Sequence, residues 1–278
     1  MKIGYLGPRG TFTEEAVRTV EALKNNEFVP LPTEEDVIRH TDSGRVAKGV
    51  IPIENSIEGT VNVTLDGLAF EAGLLIEREI IVAVEHNLLI TPGTPVDSIK
   101  SIISHPQATA QCRKFLSTNF PRATVEAANS TADAARMAAE AGPAKAAIGT
   151  ALAAEIYGLA VAKSRIQDYR ENRTRFVVVG KDSAEPTGYD KTSLACFIYE
   201  DRPGSLLQIL TEFADRSINL TKIQSRPTKK SLGDYYFWID LEGHVSDAQV
   251  GEALTALEKK ILNVKLLGSY PRGGKRKG

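Results

Sequence analysis

The sequence predicts an α/β protein in which two α/β lobes are followed by a separate βαββαβ module. Strand-like apolar runs alternate with capped helical stretches up to about residue 180. A polar segment containing Pro and Gly follows, and beyond it strands and helices occur in a different order. A chain of 278 residues is long enough for two or three compact cores.

The first lobe is predicted from three strand-and-helix repeats. Strand signals at 3–6, 28–31 and 49–53 are each followed by a helical stretch. The first two helices begin after Thr11 and Thr33, each with an acidic residue three positions later, which is capping-box spacing. This alternation favours a largely parallel sheet covered by helices.

The second lobe is predicted at about residues 79–159. The alternating apolar stretch 75–90 is too long for one ordinary strand and indicates a crossing between two sheets. Strand and helix signals then repeat, with strands at 101–104, 124–128 and 146–149, and with helices at 106–120 and after Ser130.

The last third of the chain predicts a ferredoxin-like module at residues 191–270, joined by a linker at 183–190. Residues 271–278 contain glycine and basic residues with nothing to bury, and predict a disordered tail. The signals of the module have the order βαββαβ, with strands at 192–199, 218–223, 235–241 and 262–270 and helices at 203–216 and 246–259.

Composition and charge argue against several classes of function. A net charge of -1 gives no general attraction to nucleic acid or to an anionic membrane. The chain begins directly with a strand-like segment, and no apolar run approaches about 18 residues, so we expect a cytoplasmic protein without a membrane span. The four histidines and two cysteines lack metal-ligand spacing, and we predict no metal and no cofactor.

The segment Asn172-Arg173-Thr174-Arg175-Phe176 is the strongest candidate for chemistry. It places a hydroxyl between two guanidinium groups, directly before an apolar strand. An arginine can hold a carboxylate with two hydrogen bonds, and a threonine hydroxyl in a site poor in water can donate to a leaving oxygen. The segment therefore suits elimination from an acidic substrate, and the alternative is a turn that leads into an edge strand.

Polar side chains also follow predicted strands, where ligands bind in open α/β sheets. In the segment Ile53-Glu54-Asn55-Ser56-Ile57-Glu58-Gly59, Asn55 is the best orienting group. Glu54 serves either in acid/base chemistry or as a loop cap, and we favour the cap because an unpaired acid would repel an anionic substrate.

Two further segments follow strands. Gly7-Pro8-Arg9-Gly10-Thr11-Phe12-Thr13 lets backbone amides approach an anion, although a tight turn that needs glycine explains it equally well. In Ser104-His105-Pro106-Gln107, Ser104 either meets a ligand or caps the helix that carries Gln111.

With these segments in this order, the chain resembles the prephenate dehydratases from about residue 2 to residue 270. The resemblance implies a two-lobed catalytic domain of the periplasmic-binding-protein-like type at residues 1–182. Its first lobe would comprise about 1–78 and 160–182. It also implies decarboxylating dehydration of prephenate to phenylpyruvate in phenylalanine biosynthesis, without a cofactor.

The resemblance assigns roles to individual residues. Thr174 is expected to be the acid or hydrogen-bond donor to the departing oxygen. The other catalytic residues would be the positioning donors Asn55, Ser104 and Gln111. Arg175 is expected to anchor a substrate carboxylate, and the further substrate-binding residues would be Thr11, Ser56 and Phe176.

The C-terminal module resembles an ACT regulatory domain through Asp201–Leu207 and Gln224–Pro227. Ser205 stands where the family more often has Ala, and Gln224 where it more often has Glu. The resemblance implies pairing into a homodimer or homotetramer and an L-phenylalanine effector, unless the module serves dimerisation alone. The effector would be held by Gly204, Ser205, Leu206, Leu207, Asn219, Leu220, Gln224, Ser225, Arg226 and Pro227.

Two alternatives stay open at the level of sequence. One is a dehydratase acting on arogenate, the amino form of prephenate. The other is a two-lobed small-molecule-binding protein without catalysis, whose lobes would give the same coarse pattern of strands and helices.

Overall fold

The computed structural model describes residues 1–199, 202–229 and 234–274. The first elements in chain order are β1 (Lys2–Leu6), α1 (Phe12–Thr19), β2 (Glu27–Leu31), α2 (Glu34–Asp42), β3 (Lys48–Asn55), β4 (Gly59–Thr60), α3 (Asn62–Asp66) and β5 (Leu75–Ala83). The next are β6 (Asn87–Ile90), β7 (Ser101–Ser104), α4 (Pro106–Gln111), α5 (Arg113–Asn119), β8 (Thr124–Ala127), α6 (Thr131–Ala141), β9 (Lys145–Gly149), α7 (Ala151–Tyr157), β10 (Ala160–Lys163) and β11 (Arg173–Gly180). The last are β12 (Asp190–Phe197), α8 (Ser205–Ala214), β13 (Leu220–Pro227), β14 (Tyr235–Glu242), α9 (Ala248–Glu258) and β15 (Asn263–Pro271).

In the described residues the strands form three sheets. The first has the order β2-β1-β3-β11-β5, with β4 paired to β3, and the second has the order β10-β6-β9-β7-β8. The third has the order β13-β14-β12-β15, and its paired strands are antiparallel. This order, with α8 and α9 between the strands, confirms the predicted βαββαβ module, and the α/β class is confirmed as well.

The chain divides into two compact units. The first comprises residues 1–37, 50–61 and 81–176, and the second comprises the described residues within 38–49, 62–80 and 177–278. Each unit buries apolar side chains of its own, such as Ile102 and Ile148 in the first and Phe213 and Ile239 in the second.

The stretch 75–90 forms two strands in different sheets, as its length predicted. Two predictions differ from the structure in detail, one made from periodicity and one implied by the family resemblance. The helix expected at 106–120 ends at Gln111, where Cys112 leaves helical geometry, and restarts at Arg113. Residues 160–163 were assigned to the first lobe, but they form β10, which pairs with β6 at the edge of the second sheet.

The first residues of the predicted disordered tail are part of a strand or bonded to neighbouring segments. Pro271 belongs to β15, and the backbone N–H groups of Arg272 and Gly273 donate hydrogen bonds to Tyr189 and Glu79. Residues 275–278, and Asp201 of the first ACT-like segment, lie outside the described residues. In the described part of the chain, no helix is both long and apolar enough to cross a membrane.

Glu15 on α1 predicts an unusual pH dependence of stability. Burial, with a smaller effect from the nearby carboxylates of Glu85 and Glu14, raises its pKa to about 7 against the opposing effect of a hydrogen bond from the backbone of Leu152. The folded protein therefore keeps a proton that the unfolded chain loses near pH 4.5, so this residue makes stability fall as pH rises between about 4.5 and 7.

We expect Glu15→Gln to be more stable than the parent protein at pH 8 and not at pH 4, as measured by urea unfolding. Glu155→Gln on α7, where the side chain is exposed, is the matched control and should show no such pH-dependent difference. Equal stability of Glu15→Gln and the parent at pH 8 would contradict the prediction.

Candidate active site

A cavity of about 810 Å³ lies in the first unit, within the roughly 300–1,000 Å³ typical of small-molecule sites. The end of β3, the turn after it, β11 and the starts of α1, α4 and α6 all contribute to its wall. The lining includes Thr11, Phe12, Asn55, Glu58, His86, His105, Gln111, Ser130, Asn172, Thr174 and Phe176.

The loop after β1 forms one lip of the cavity and is fixed at Gly10. This residue has a φ of +88°, and a Cβ there would lie 3.0 Å from the Cα of Ala153. The Gly10 N–H donates to the Glu14 carboxylate at 2.8 Å, and its carbonyl accepts from the Thr150 hydroxyl at 2.7 Å. Only glycine fits this position, and the loop therefore carries Thr11 to the cavity wall in one fixed conformation.

Asn55 is oriented by its own turn. Its Oδ1 accepts the backbone N–H groups of Ile57 and Glu58 at 2.9 and 3.0 Å, as in an Asx turn. The Nδ2 group must then point the other way, where it donates to Thr174 Oγ1 at 2.8 Å and to Asn172 Oδ1 at 2.9 Å. The predicted pair Asn55 and Thr174 is therefore in direct contact.

The Thr174 hydroxyl is held as an acceptor by Asn55. A hydroxyl has one proton to donate, and no described residue accepts that proton. Thr174 lines the cavity and is 9% exposed. Its proton is therefore available to a ligand in the cavity, as the proposed elimination needs.

Arg175 does not line the cavity, in contrast to the role expected for it. Neighbouring residues of a strand point to opposite faces, so Thr174 and Phe176 of β11 share the cavity face and Arg175 lies on the other. There its Nη1 is 3.7 Å from Oε2 of Glu54. Glu54 is also absent from the lining, so neither side chain reaches the cavity in this structure.

Gln111 reaches the cavity from α4. Its Oε1 accepts from Asn172 Nδ2 at 2.8 Å and lies 3.1 Å from His86 Nε2, while its Nε2 donates to Glu58 Oε1 at 3.1 Å. Since an amide oxygen only accepts, His86 must carry its proton on Nε2. Burial lowers the pKa of His86 despite the Gln111 bond, so the ring is neutral at physiological pH.

Ser104 and Ser56 occupy structural positions rather than the cavity wall. Ser104 is fully buried, and its hydroxyl donates to the carbonyl of Ile148 at 2.8 Å. The side chain that caps α4 is His105, not Ser104. The Ser56 N–H donates to the Arg173 carbonyl at 2.9 Å, and the Arg173 N–H donates to the Ser56 hydroxyl at 2.9 Å. Ser56 therefore holds the turn after β3 to the start of β11.

Among the lining residues that were not assigned a role from sequence, Asn172, Glu58 and His86 contact the predicted site residues Asn55 and Gln111. Asn172 and Glu58 lie within the segments singled out above, two residues before Thr174 and three after Asn55. That proximity was the available signal. His86 had none, because its bond to Gln111 depends on how β6 and α4 pack.

In the second unit, Gly204 caps the start of α8 with a φ of +91°, so the helix begins at Ser205 rather than at the predicted residue 203. Ser205 is buried, Leu206 packs against the core, and Leu207 is 65% exposed. The remaining predicted effector residues lie on β13 or directly before it, namely Asn219, Leu220, Gln224, Ser225, Arg226 and Pro227.

Arg226 is bonded to a carboxylate of its own unit. Its Nε and Nη2 donate to the two oxygens of Asp66 at 3.1 and 2.6 Å. The Tyr236 hydroxyl and the Lys229 ammonium also contact Asp66, at 3.0 and 2.7 Å. Burial alone would raise the pKa of Asp66, but these three donors hold it below its ordinary value. In this structure Arg226 therefore binds Asp66, rather than presenting its guanidinium to an effector.

Comparisons with known proteins agree with this arrangement. The family model described as prephenate dehydratase matches residues 3–184, and the model described as ACT domain matches residues 194–259. The prephenate dehydratase of Mycolicibacterium vanbaalenii is 40% identical over 286 residues, covering 98% of this chain and 91% of that protein.

Two solved structures resemble the chain over nearly its whole length. The crystal structure of prephenate dehydratase from Arthrobacter aurescens in complex with L-Phe has a TM-score of 0.91 and 38% identity, covering 98% of this chain and 90% of that one. The structure of GqqA, described as a novel type of quorum quenching acylase, has a TM-score of 0.87 and 28% identity, covering 98% of each. From the match over residues 3–184 and the 40% identity to a full-length relative, the chain belongs to the prephenate dehydratase family.

Proposed function

We propose that this protein is a prephenate dehydratase, a carbon-oxygen lyase that converts prephenate to phenylpyruvate, CO₂ and water in phenylalanine biosynthesis. The observation that carries the proposal is the Thr174 hydroxyl, which accepts from Asn55 and so keeps its own proton available on the cavity wall. Family membership supports the same reaction.

The reaction needs a donor at the leaving oxygen more than it needs a strong base. The bond from the ring to its carboxylate breaks, and its electrons form the new ring double bond while the ring carbon-oxygen bond breaks. Negative charge develops on the departing oxygen, which the Thr174 hydroxyl stabilises through a hydrogen bond. Because threonine is a poor acid, the proton that completes the water molecule comes from solvent in this account.

Helix starts offer binding sites for the substrate carboxylates. Among the described lining residues there is no Lys or Arg, but Thr11 to Thr13 and Asn129 to Thr131 lie at the N-terminal ends of α1 and α6. Backbone N–H groups at helix starts attract anions. Thr11 and Ser130 each cap one N–H group, at Glu14 and Asp133, and leave the earlier ones directed at the cavity end of the helix.

The acidic side chains of the lining favour arogenate as the second candidate substrate. Glu34, Glu58 and Asp133 all contribute to the wall, and an ammonium group would suit them better than the keto group of prephenate. The non-catalytic alternative is a two-lobed small-molecule-binding protein.

One assay separates these candidates. Purified protein is incubated with prephenate or with arogenate, and the formation of phenylpyruvate or phenylalanine is followed. The proposal expects the higher kcat/KM for prephenate. A higher value for arogenate would make the protein an arogenate dehydratase, and binding of prephenate without any product would make it a binding protein.

We also propose that L-phenylalanine binds the C-terminal module and lowers activity, and that the modules pair into a homodimer or homotetramer in the cytoplasm. The ACT match at residues 194–259 supports the regulatory role. Pairing is supported by the exposed side chains of Leu207 on α8 and Ile223 on β13. Because β13 is an edge strand of the third sheet, it can contact a second copy of the module.

Gln224→Glu is expected to bind L-phenylalanine about fivefold more tightly than the parent, because a carboxylate on β13 would pair with the ligand ammonium for about 1 kcal/mol. Calorimetry gives the dissociation constant, and inhibition of turnover gives an independent value. Gln249→Glu, an exposed position on α9, is the charge-matched control. Unchanged affinity in Gln224→Glu would place the ammonium elsewhere.

A further inference from the structure

Side chains from three separate segments of the first unit form a closed ring of hydrogen bonds that begins and ends at Glu58. The Glu58 N–H donates to Asn55 Oδ1 at 3.0 Å, and Asn55 Nδ2 donates to Asn172 Oδ1 at 2.9 Å. Asn172 Nδ2 then donates to Gln111 Oε1 at 2.8 Å, and Gln111 Nε2 donates to Glu58 Oε1 at 3.1 Å. The ring thus joins the turn after β3, the end of α4 and the residue before β11.

The ring has a single direction. A backbone N–H can only donate and a carboxylate can only accept, so the two ends at Glu58 fix the sense of every bond between them. If any one of the three amides were flipped, it would place two donors or two acceptors face to face. With this sense, Gln111 Oε1 can also accept from His86 Nε2, which lies 3.1 Å away.

The direction of the ring decides what Thr174 can do. Asn55 has to present its NH₂ group to Asn172, and the same group donates to Thr174 Oγ1 at 2.8 Å. Thr174 must therefore accept at this contact and direct its own proton elsewhere. Were Asn55 reversed, its carbonyl would take the Thr174 proton and the cavity would lose its donor.

We propose that Asn172 and Glu58 are positioning residues that hold Asn55, and through it the Thr174 hydroxyl, in place through this ring. The proposal rests on the proposed dehydratase function. Asn172 is 1% exposed and Gln111 is 8% exposed, so a broken bond in the ring would leave polar groups with little access to water. Such groups strongly favour whichever arrangement satisfies all of them.

Asn172→Asp tests the direction of the ring with an isosteric change. The introduced carboxylate still accepts from Asn55 but has no proton for Gln111. We expect kcat at neutral pH to fall by about 100-fold, the scale of a misplacement of about 1 Å, with KM changed less than about threefold. At lower pH the introduced carboxyl becomes protonated and can donate again, so the ratio of parental to variant kcat should shrink.

Asn87→Asp is the matched control, since Asn87 is a buried amide that donates to the carbonyl of Gly149 outside the ring. Its kcat ratio to the parent should not change with pH. A kcat of Asn172→Asp within about threefold of the parent at neutral pH, or a loss that stays constant as pH falls, would overturn the proposal.

Glu58 provides a second test on an exposed turn, where folding is not at risk. In Glu58→Gln the side-chain oxygen still accepts from Gln111, so kcat should stay within about threefold, whereas Glu58→Ala should lose about tenfold or more. Glu171→Ala removes a neighbouring acid whose side chain is 91% exposed and should behave like the parent. Equal kcat values for Glu58→Ala and Glu58→Gln would count against the ring.

A stability measurement tests the ring without any turnover. Glu58→Ala and Asn172→Ala each open the same ring, so the double variant should lose less unfolding free energy than the sum of the two single losses. Additive losses would overturn the ring itself. A parent protein that forms no phenylpyruvate, combined with a non-additive cycle, would overturn only the proposed function.

Discussion

Thr174→Ala is expected to lower kcat by roughly 10²- to 10⁴-fold, the range for loss of one positioned donor. The Thr174 hydroxyl accepts from the Asn55 amide, which leaves the hydroxyl proton available to a ligand. In the alanine variant, Asn55 also loses its acceptor at this position. The loss should appear in kcat and kcat/KM together, because the interaction forms mainly as charge develops on the leaving oxygen. Steady-state phenylpyruvate formation measures both constants.

Thr174→Ser is the control for this prediction, since it keeps the hydroxyl and removes one methyl group. We expect its kcat to stay within about tenfold of the parent. Thermal unfolding of both variants should match the parent closely enough to exclude misfolding. Turnover by Thr174→Ala at nearly the parental rate would remove the hydroxyl from the mechanism.

Asp66→Ala is expected to lower the free energy of unfolding of the second unit by about 3–5 kcal/mol, the cost of leaving a buried charge without its partner. The Asp66 side chain is 7% exposed and that of Arg226 is 13% exposed. Removal of the carboxylate leaves both the Arg226 guanidinium and the Tyr236 hydroxyl without this acceptor. Urea unfolding followed by Trp238 fluorescence reports on this unit, because Trp238 lies on β14.

Two further variants serve as controls for Asp66→Ala. Asp182→Ala removes a carboxylate that is 84% exposed and should change stability by less than about 0.5 kcal/mol. Adding Arg226→Met to Asp66→Ala should restore part of the loss, because no buried charge then remains. A loss below about 1 kcal/mol in Asp66→Ala would show that the cluster is hydrated and weak.

Much of the fold follows from local patterns in the sequence. The caps at Thr11 and Ser130 predicted the starts of α1 and α6, because a threonine or serine oxygen satisfies a backbone N–H of the first turn. The length of the stretch 75–90 predicted its division between two sheets. The edge strand β10 was missed because four residues carry too little periodicity to be distinguished from a loop.

The candidate site was predicted less completely, since its residues meet through tertiary contacts. Asn55 and Thr174 were predicted and are in contact. The role expected for Arg175 stays a prediction, and strand alternation places its side chain on the face of β11 opposite that of Thr174. The bond between Arg226 and Asp66 could not be predicted, because the two residues are 160 positions apart and no local pattern links them.

The most direct test of the central claim is a crystal structure of the Thr174→Ala variant with prephenate bound. We expect the substrate to bind in the 810 Å³ cavity, with its ring hydroxyl at position 174 and its carboxylates at the starts of α1 and α6. Prephenate bound outside this cavity, or with its hydroxyl directed away from position 174, would contradict the account.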